Sequence, residues 1–308
     1  MRDRIPRLLM MLLVVYLAAG AGVTSATDSS PTSYSPHAGP AIPREVYWGD
    51  THLHSLLSVD ANVNGNTRLS GDDAYRFAPG EEVEAHNGMV VRLRRPLDFL
   101  VVSDHAEYLG VIDGIARQDP LLLENPGARR WSDLLRAGDL TPMGEFAASA
   151  ASGDAVFEHP DFVRSVWRRV VESADRNNRP GKFTAFAGYE WTSMPGGGNL
   201  HRIVLFRDGS EKTSQILPFS ALDSARPEDL WGFLADYEAK TGGDAFSIPH
   251  NSNVSNGLLF SLSNEDGTAI TAADAQRRAR LERLVEVTQH KGSSECGLAS
   301  EDELCTYE

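Results

Sequence analysis

The chain has 308 residues, of which 41% are hydrophobic and 23% charged, and a formal net charge of −14. That composition supplies a sizeable core for one large domain or two ordinary ones. The acidic balance argues against nucleic acid as a partner, because phosphate backbones attract Lys and Arg. It leaves room for a small anionic substrate held by metal ions inside a pocket. The two cysteines, Cys296 and Cys305, lie near the C-terminus. They form no cluster of the kind a structural zinc site needs, and sequence leaves their pairing open.

Arg2, Arg4 and Arg7 precede an apolar run over residues 8–19, and small residues follow. This pattern predicts a secretory signal peptide over residues 1–26, with Ala19-Gly20-Ala21 or Thr24-Ser25-Ala26 as the cleavage site. The run is short for a membrane span of about 20 residues. The expectation is export, periplasmic or extracellular, with no stable membrane association after cleavage; an uncleaved anchor is the alternative. Cleavage after residue 21 removes three arginines and Asp3, which moves the charge to −16. Residues 27–43 are rich in Ser, Pro, Thr and Gly and read as a disordered linker, so the folded part starts near residue 44.

Residues 46–48 read as a short strand, followed by His52 and His54 and, six residues on, Asp60. Alternate residues of extended chain point the same way, so both imidazoles can face one ion. Ser70 is placed to cap a short helix over residues 72–77, and residues 82–94 read as a hairpin turning at Asn87-Gly88. His86 beside that turn reads as a surface histidine. Residues 97–102 form a buried-strand pattern that runs into Ser103-Asp104-His105. Asp104 is placed either to orient a neighbouring imidazole or to cap the next helix. Residues 112–151 are broken by Pro120, Pro126 and Pro142 and predict short helices laid over one face. Residues 161–177 predict an amphipathic helix with Asp161 as N-cap, and Trp167 in a packing role.

A strand over residues 183–188 leads to Gly188-Tyr189-Glu190, where Glu190 could bridge two metals or be a solvated loop carboxylate. The glycines at 196–198 lack the Lys-Ser/Thr and the helix of a phosphate loop. His201 opens the strand at 201–206. Pro227 opens a second helix that stops at Gly242-Gly243, and residues 245–249 form a strand ending in His250. A third helix is predicted over residues 271–283, and a strand over 284–290 carries Glu286 and ends at His290.

Alternating strands and helices favour a parallel sheet or barrel. His52, His54, His105, Glu190 and His250 fall at or just past strand C-termini, the face on which α/β barrels build active sites.

The series resembles the PHP (polymerase and histidinol phosphatase) superfamily of metal-dependent hydrolases, and more closely its exported bacterial branch of unknown function. The resemblance spans roughly residues 45–290. It rests on His52-x-His54 with Asp60, on Asp104-His105, on Gly188-Tyr189-Glu190, on His201 and on Pro249-His250. It implies an α/β fold, a distorted (β/α)7 TIM-like barrel over residues 44–308. It also implies two or three divalent ions (Zn, Mn or Fe). His52, His54 and Glu190 would hold the first, Glu190, His201 and His250 the second, and Asp60 and His105 part of a third. Glu190 and Asp104 are the candidate catalytic residues. The implied chemistry is hydrolysis of a small anionic substrate, most simply a phosphoester, by a metal-activated water. The chain departs from the family in lacking its closing Asp-x-His: Thr288 stands where the Asp should precede His290. The barrel is therefore expected to be incomplete at its C-terminus, as in a truncated homologue or the N-terminal part of a longer protein. Two rivals are an amidohydrolase-type barrel, which also places His-x-His after its first strand, and an exported metal-binding protein without catalysis.

Overall fold

The computed structural model describes residues 45–157, 159–264, 267–289 and 292–294. The expected signal peptide and linker, His290 and both cysteines lie outside the described residues. The chain divides into two units, Met1–Val46 and Tyr47–Glu308, and the described elements belong to the second. Among the described residues no helix is long and apolar enough to cross a membrane.

The first strand, β1, is Gly49–Leu53, so the predicted strand at 46–48 is displaced: Tyr47 and Trp48 are exposed and the histidine motif is itself extended. A short helix α1 (Val59–Val63) comes next, then α2 (Gly71–Phe77). Ser70 caps α2 as expected, in a reciprocal capping box with Asp73. The predicted hairpin is present as β2 (Val83–Glu84) paired with β3 (Val90–Val91). After β4 (Phe99–Val102) come four helices: α3 (Val111–Ala116), α4 (Pro120–Leu123), α5 (Pro126–Arg136) and α6 (Thr141–Ser152). Pro120, Pro126 and Pro142 sit in first turns, where a missing N–H costs nothing, so they start helices as well as ending the preceding segment.

Helix α7 (Pro160–Asn177) begins one residue earlier than expected, with His159 rather than Asp161 at the N-cap. Its buried stripe includes Phe162, Val166, Trp167, Val170, Val171 and Ala174. Then come β5 (Thr184–Trp191), β6 (Arg202–Phe206), α8 (Ser210–Thr213), α9 (Pro227–Thr241), β7 (Ala245–Pro249) and α10 (Ala272–Leu281). Two-residue strands β8 (Thr288–Gln289) and β9 (Gly292–Ser293) form a separate hairpin.

The main sheet has five strands in the order β1-β4-β5-β6-β7. The pairs β1–β4 and β4–β5 are parallel, whereas β5–β6 and β6–β7 are antiparallel. This overturns the expected (β/α)7 barrel: the fold is mixed α/β around an open five-stranded sheet. Two physical reasons stand out. The link from β5 to β6 is ten residues long and holds only a 3-10 turn at Pro195–Gly197, too short for the helical crossover that a parallel neighbour requires. Of the stretch 284–290, expected as a further strand, the described residues 284–289 do not extend the sheet. Leu284, Val285 and Val287 are exposed, and only the Glu286 N–H reaches β7, donating to Pro249 O at 3.0 Å.

The mixed sheet still collects one end of every strand. β1, β4, β5 and β7 run the same way, and β6 runs against them, so the N-terminus of β6 lies beside the C-termini of β5 and β7 (Trp191↔Arg202, Arg202↔Pro249). Side chains alternate across the sheet. Leu100, Val102, Ala187, Tyr189, Trp191, Val204 and Phe206 face the large core with α7 and α9. Trp167 of α7 packs edge-on against Tyr189 and Phe206, with centroids 5.8 and 6.1 Å away. Burying a side chain of that size stabilises by roughly 1.5–3 kcal/mol or more. The other face carries a smaller cluster of Val101, Ile203, Leu205 and Ile248. Glycine is required at 188, because a Cβ there would lie 2.5 Å from Val101 Cγ1 and 2.7 Å from Val204 O.

Candidate metal centre

Alternation along β5 places Glu190 opposite in direction to Tyr189 and Trp191, away from the large core. Its backbone is fixed from both sides: Glu190 N–H donates to Asp104 O (3.0 Å), and Ala106 N–H donates to Glu190 O (2.8 Å). This continues the β4–β5 ladder past β4 and sets His105 beside Glu190 as a parallel bridge pair. In β1 the pairing with β4 shifts register between Asp50 and Leu53, an irregularity that spans His52. Such bulges re-aim side chains. His201 immediately precedes β6 and His250 immediately follows β7, so the sheet brings both to the same end.

The Glu190 side chain is 2% exposed, and its two oxygens face different histidine pairs. Oε2 lies 3.0 Å from His54 Nε2 and 3.4 Å from His52 Nε2. Oε1 lies 2.8 Å from His201 Nδ1 and 3.1 Å from His250 Nε2. His105 approaches Oε2 through Nδ1 at 3.6 Å, and its Nε2 lies 3.3 Å from Asp60 Oδ1. Four triads therefore bring ligand atoms within 4.8 Å of one another: His52/His54/Glu190, Glu190/His201/His250, His54/Asp60/His105 and His52/His250/Glu286. These buried His/Glu clusters could hold a metal ion.

The donor set fits that role. His54 Nδ1, His105 Nε2, His201 Nε2 and Glu190 Oε2 are buried without a well-formed hydrogen bond. An unsatisfied buried polar atom costs about 1–3 kcal/mol, so four in one cluster make a poor structural device. A divalent cation satisfies such lone pairs together. Burial pushes the Glu190 carboxyl up, but the imidazoles of His105 and His250 and the hydrogen bonds of His201 and His250 hold it well below the usual carboxylate range. Burial works against a charged His52, yet Glu190 and Glu286 raise it to about 10. His105 is raised to about 9 against the same burial, chiefly by Glu190 and Asp60. His250 is driven down to about 4 by burial. The cluster is thus a buried anion surrounded by imidazoles.

Asp104 is placed otherwise. Its oxygens accept from Ser55 N–H (2.6 Å) and Ser55 Oγ–H (2.7 Å), which pins the loop carrying His54. It is 2% exposed, and burial raises its carboxyl pKa against the Ser55 hydrogen bonds. Its geometry is that of a support beneath the histidine loop. His86 is exposed and outside the four triads, in line with a surface role.

Two contacts were not legible in the sequence. Thr192 Oγ1 lies 2.5 Å from His105 Nδ1, and no residue pattern singles it out. Glu286 Oε2 lies 2.8 Å from His52 Nδ1. The signal for Glu286 was a carboxylate set between Leu284-Val285 and Val287 in a predicted strand. A cleft of about 550 Å3 opens onto the centre, lined by His52, His54, Phe99, Glu286, Thr288 and Gln289.

A family model described as "Protein of unknown function (DUF3604)" matches residues 41–308. The chain belongs to the DUF3604 family. Neither the curated proteins nor the solved structures gave a match. In this DUF3604 chain the chemistry is therefore argued from the centre itself.

Proposed function

We propose that the chain is a metal-dependent hydrolase of the PHP type, acting on a small anionic ester, most simply a phosphoester. The observation that carries the reading is Glu190: one buried carboxylate whose Oε2 faces His52 and His54 while its Oε1 faces His201 and His250. His52, His54 and Glu190 would hold one cation, and Glu190, His201 and His250 a second. Nitrogen and oxygen ligands without thiolate suit Zn, Mn or Fe. The described lining of the cleft holds no lysine or arginine, so when bound the ions supply the cationic polarisation of substrate oxygens and a nucleophile from water near neutral pH.

The chain's own residues do the rest. Glu190 sets the spacing of the two histidine pairs. His54, Asp60 and His105 form a third group beside the first. Asp104 holds the His54 loop through Ser55, so the first pair keeps its geometry as substrate enters. Phe99 and the Thr288–Gln289 strand wall the cleft.

The test is hydrolysis of phosphomono- and phosphodiester panels by the purified chain loaded with Zn, Mn or Fe. Metal-dependent turnover that drops at least a hundredfold in Glu190→Gln and His52→Ala, both folded, is the expected result. Turnover unchanged in either variant would sink the mechanism. Amide or lactone turnover without ester turnover would replace the substrate class.

A further inference from the structure

We propose that Glu286 is a positioning residue of the centre: its carboxylate holds the His52 ring by Nδ1 and thereby presents Nε2 to the ion beside Glu190. The proposal rests on the metal-centre reading and extends it to a residue outside the ligand series that the sequence presents.

The two nitrogens of an imidazole point in different directions, so a partner on one fixes where the other looks. His52 Nδ1 lies 2.8 Å from Glu286 Oε2. His52 Nε2 lies 3.4 Å from Glu190 Oε2 and 3.3 Å from His54 Nε2, on the side where the first triad converges. The same division recurs at His105, whose Nδ1 contacts Thr192 Oγ1 while its buried Nε2 faces the third group, 3.3 Å from Asp60 Oδ1. A carboxylate or hydroxyl behind each ligating imidazole is the common way that metal sites fix ring orientation and raise ligand basicity.

Glu286 is itself held in place. Its backbone N–H donates to Pro249 O, and Pro249 immediately precedes His250. The carboxylate is therefore tied to the end of β7 and reaches across to β1. The His52 and His250 rings lie 4.3 Å apart between centroids, so one residue controls the gap between the two metal groups. The Glu286 side chain is 16% exposed, at the mouth of the cleft.

The experiment compares the full chain with Glu286→Gln and Glu286→Asp. Metal stoichiometry and affinity are measured by titration with zinc, and the histidine rings are observed by NMR on 15N-histidine-labelled, metal-free protein. A positioning role predicts that Glu286→Gln keeps the wild-type number of ions at saturation but binds them about 10–100-fold more weakly. Glu286→Asp recovers part of that loss. It also predicts a hydrogen-bonded, slowly exchanging His52 Nδ1–H signal in the wild type that Glu286→Gln loses. Loss of a whole metal equivalent at saturation would make Glu286 a direct ligand and overturn the proposal. Wild-type affinity and an unchanged His52 signal in Glu286→Gln would overturn it as well. If the wild type binds no metal, the metal-centre reading fails. The His52 signal then decides the Glu286 pair by itself: lost in Glu286→Gln, the pair stands; absent from the wild type, it falls.

Discussion

Glu190 and Glu282 both carry buried carboxylates, and they are buried in opposite ways. Glu282, 3% exposed at its side chain, accepts from Arg202 Nε (2.5 Å) and Trp231 Nε1 (2.9 Å) through Oε1 and from Arg278 Nε (3.3 Å) through Oε2. Its donors are permanently protonated or neutral N–H groups, and both oxygens are satisfied. Glu190 is just as buried, but its neighbours are imidazoles, several of whose nitrogens have no partner. Consecutive residues of β6 and its approach make the contrast: His201 turns to Glu190, and Arg202 turns to Glu282. A satisfied buried carboxylate is a device of stability. A buried carboxylate among imidazoles that, among the described residues, leave several nitrogens without a well-formed hydrogen bond is an arrangement that could hold a metal ion.

The comparison can be broken most severely at Glu190. Glu190→Gln is nearly isosteric and removes the shared anion. The chain should still melt cooperatively, while bound metal, read by elemental analysis, collapses. At Glu282 the pattern should invert. Glu282→Ala leaves Arg202, itself 1% exposed, as an uncompensated buried charge, which costs about 3–5 kcal/mol. Denaturant unfolding should show that loss, with metal per folded chain unchanged. A variant that lost metal and kept stability would refute the assignment of Glu282 to stability alone.

A third test uses a histidine outside the centre. His159 stacks on Tyr108 at an interplanar angle of 4°, and neither of its ring nitrogens has a well-formed hydrogen bond. Burial holds its pKa down at about 4, against an ordinary 6.5. Below pH 6.5 the unfolded chain takes up a proton that the folded chain refuses until about pH 4. The unfolded state then binds more protons, so stability falls as the pH drops through that window and levels off beneath it. The loss amounts to roughly 3 kcal/mol at one to two units below the folded pKa. His159→Phe keeps the stacking and should remove this component; equal acid sensitivity in both proteins would count against it. The smallest expected effect is at Gly188. Gly188→Ala drives a methyl into Val101 and Val204 O and should cost about 1–3 kcal/mol. Metal affinity should weaken too, because the strand beneath Glu190 must shift; a neutral result in both measurements would show that the strand gives way.

The candidate ligands were legible as a spatial group because metal-binding residue types stood at strand ends, and the sheet does gather His52, His54, His105, Glu190, His201 and His250 at one end. The open, mixed sheet was not, and the expected barrel is overturned by it. Strand-like composition does not say which edge a strand joins, and residues 284–287 show why: the apolar, β-branched residues are there, but Leu284, Val285 and Val287 lie exposed. The antiparallel turn of β6 was within reach, since ten residues with a glycine run cannot hold a crossover helix. Asp104 reads in the sequence as orienting a neighbouring imidazole, capping the next helix or acting in catalysis; successive residues of extended chain face opposite ways, and its oxygens accept from Ser55 beside His54. Glu286 and Thr192 act through hydrogen bonds to ring nitrogens that sit 234 and 87 residues away in the chain, a separation at which sequence carries no signal.

The central claim is that the Glu190 centre binds metal, and elemental analysis of the purified, cooperatively folding chain tests it most directly. The expected result is two or more equivalents of zinc, manganese or iron per chain, lost in Glu190→Gln and retained in Glu282→Ala. A folded wild-type chain that takes up no metal when each ion is supplied would contradict it.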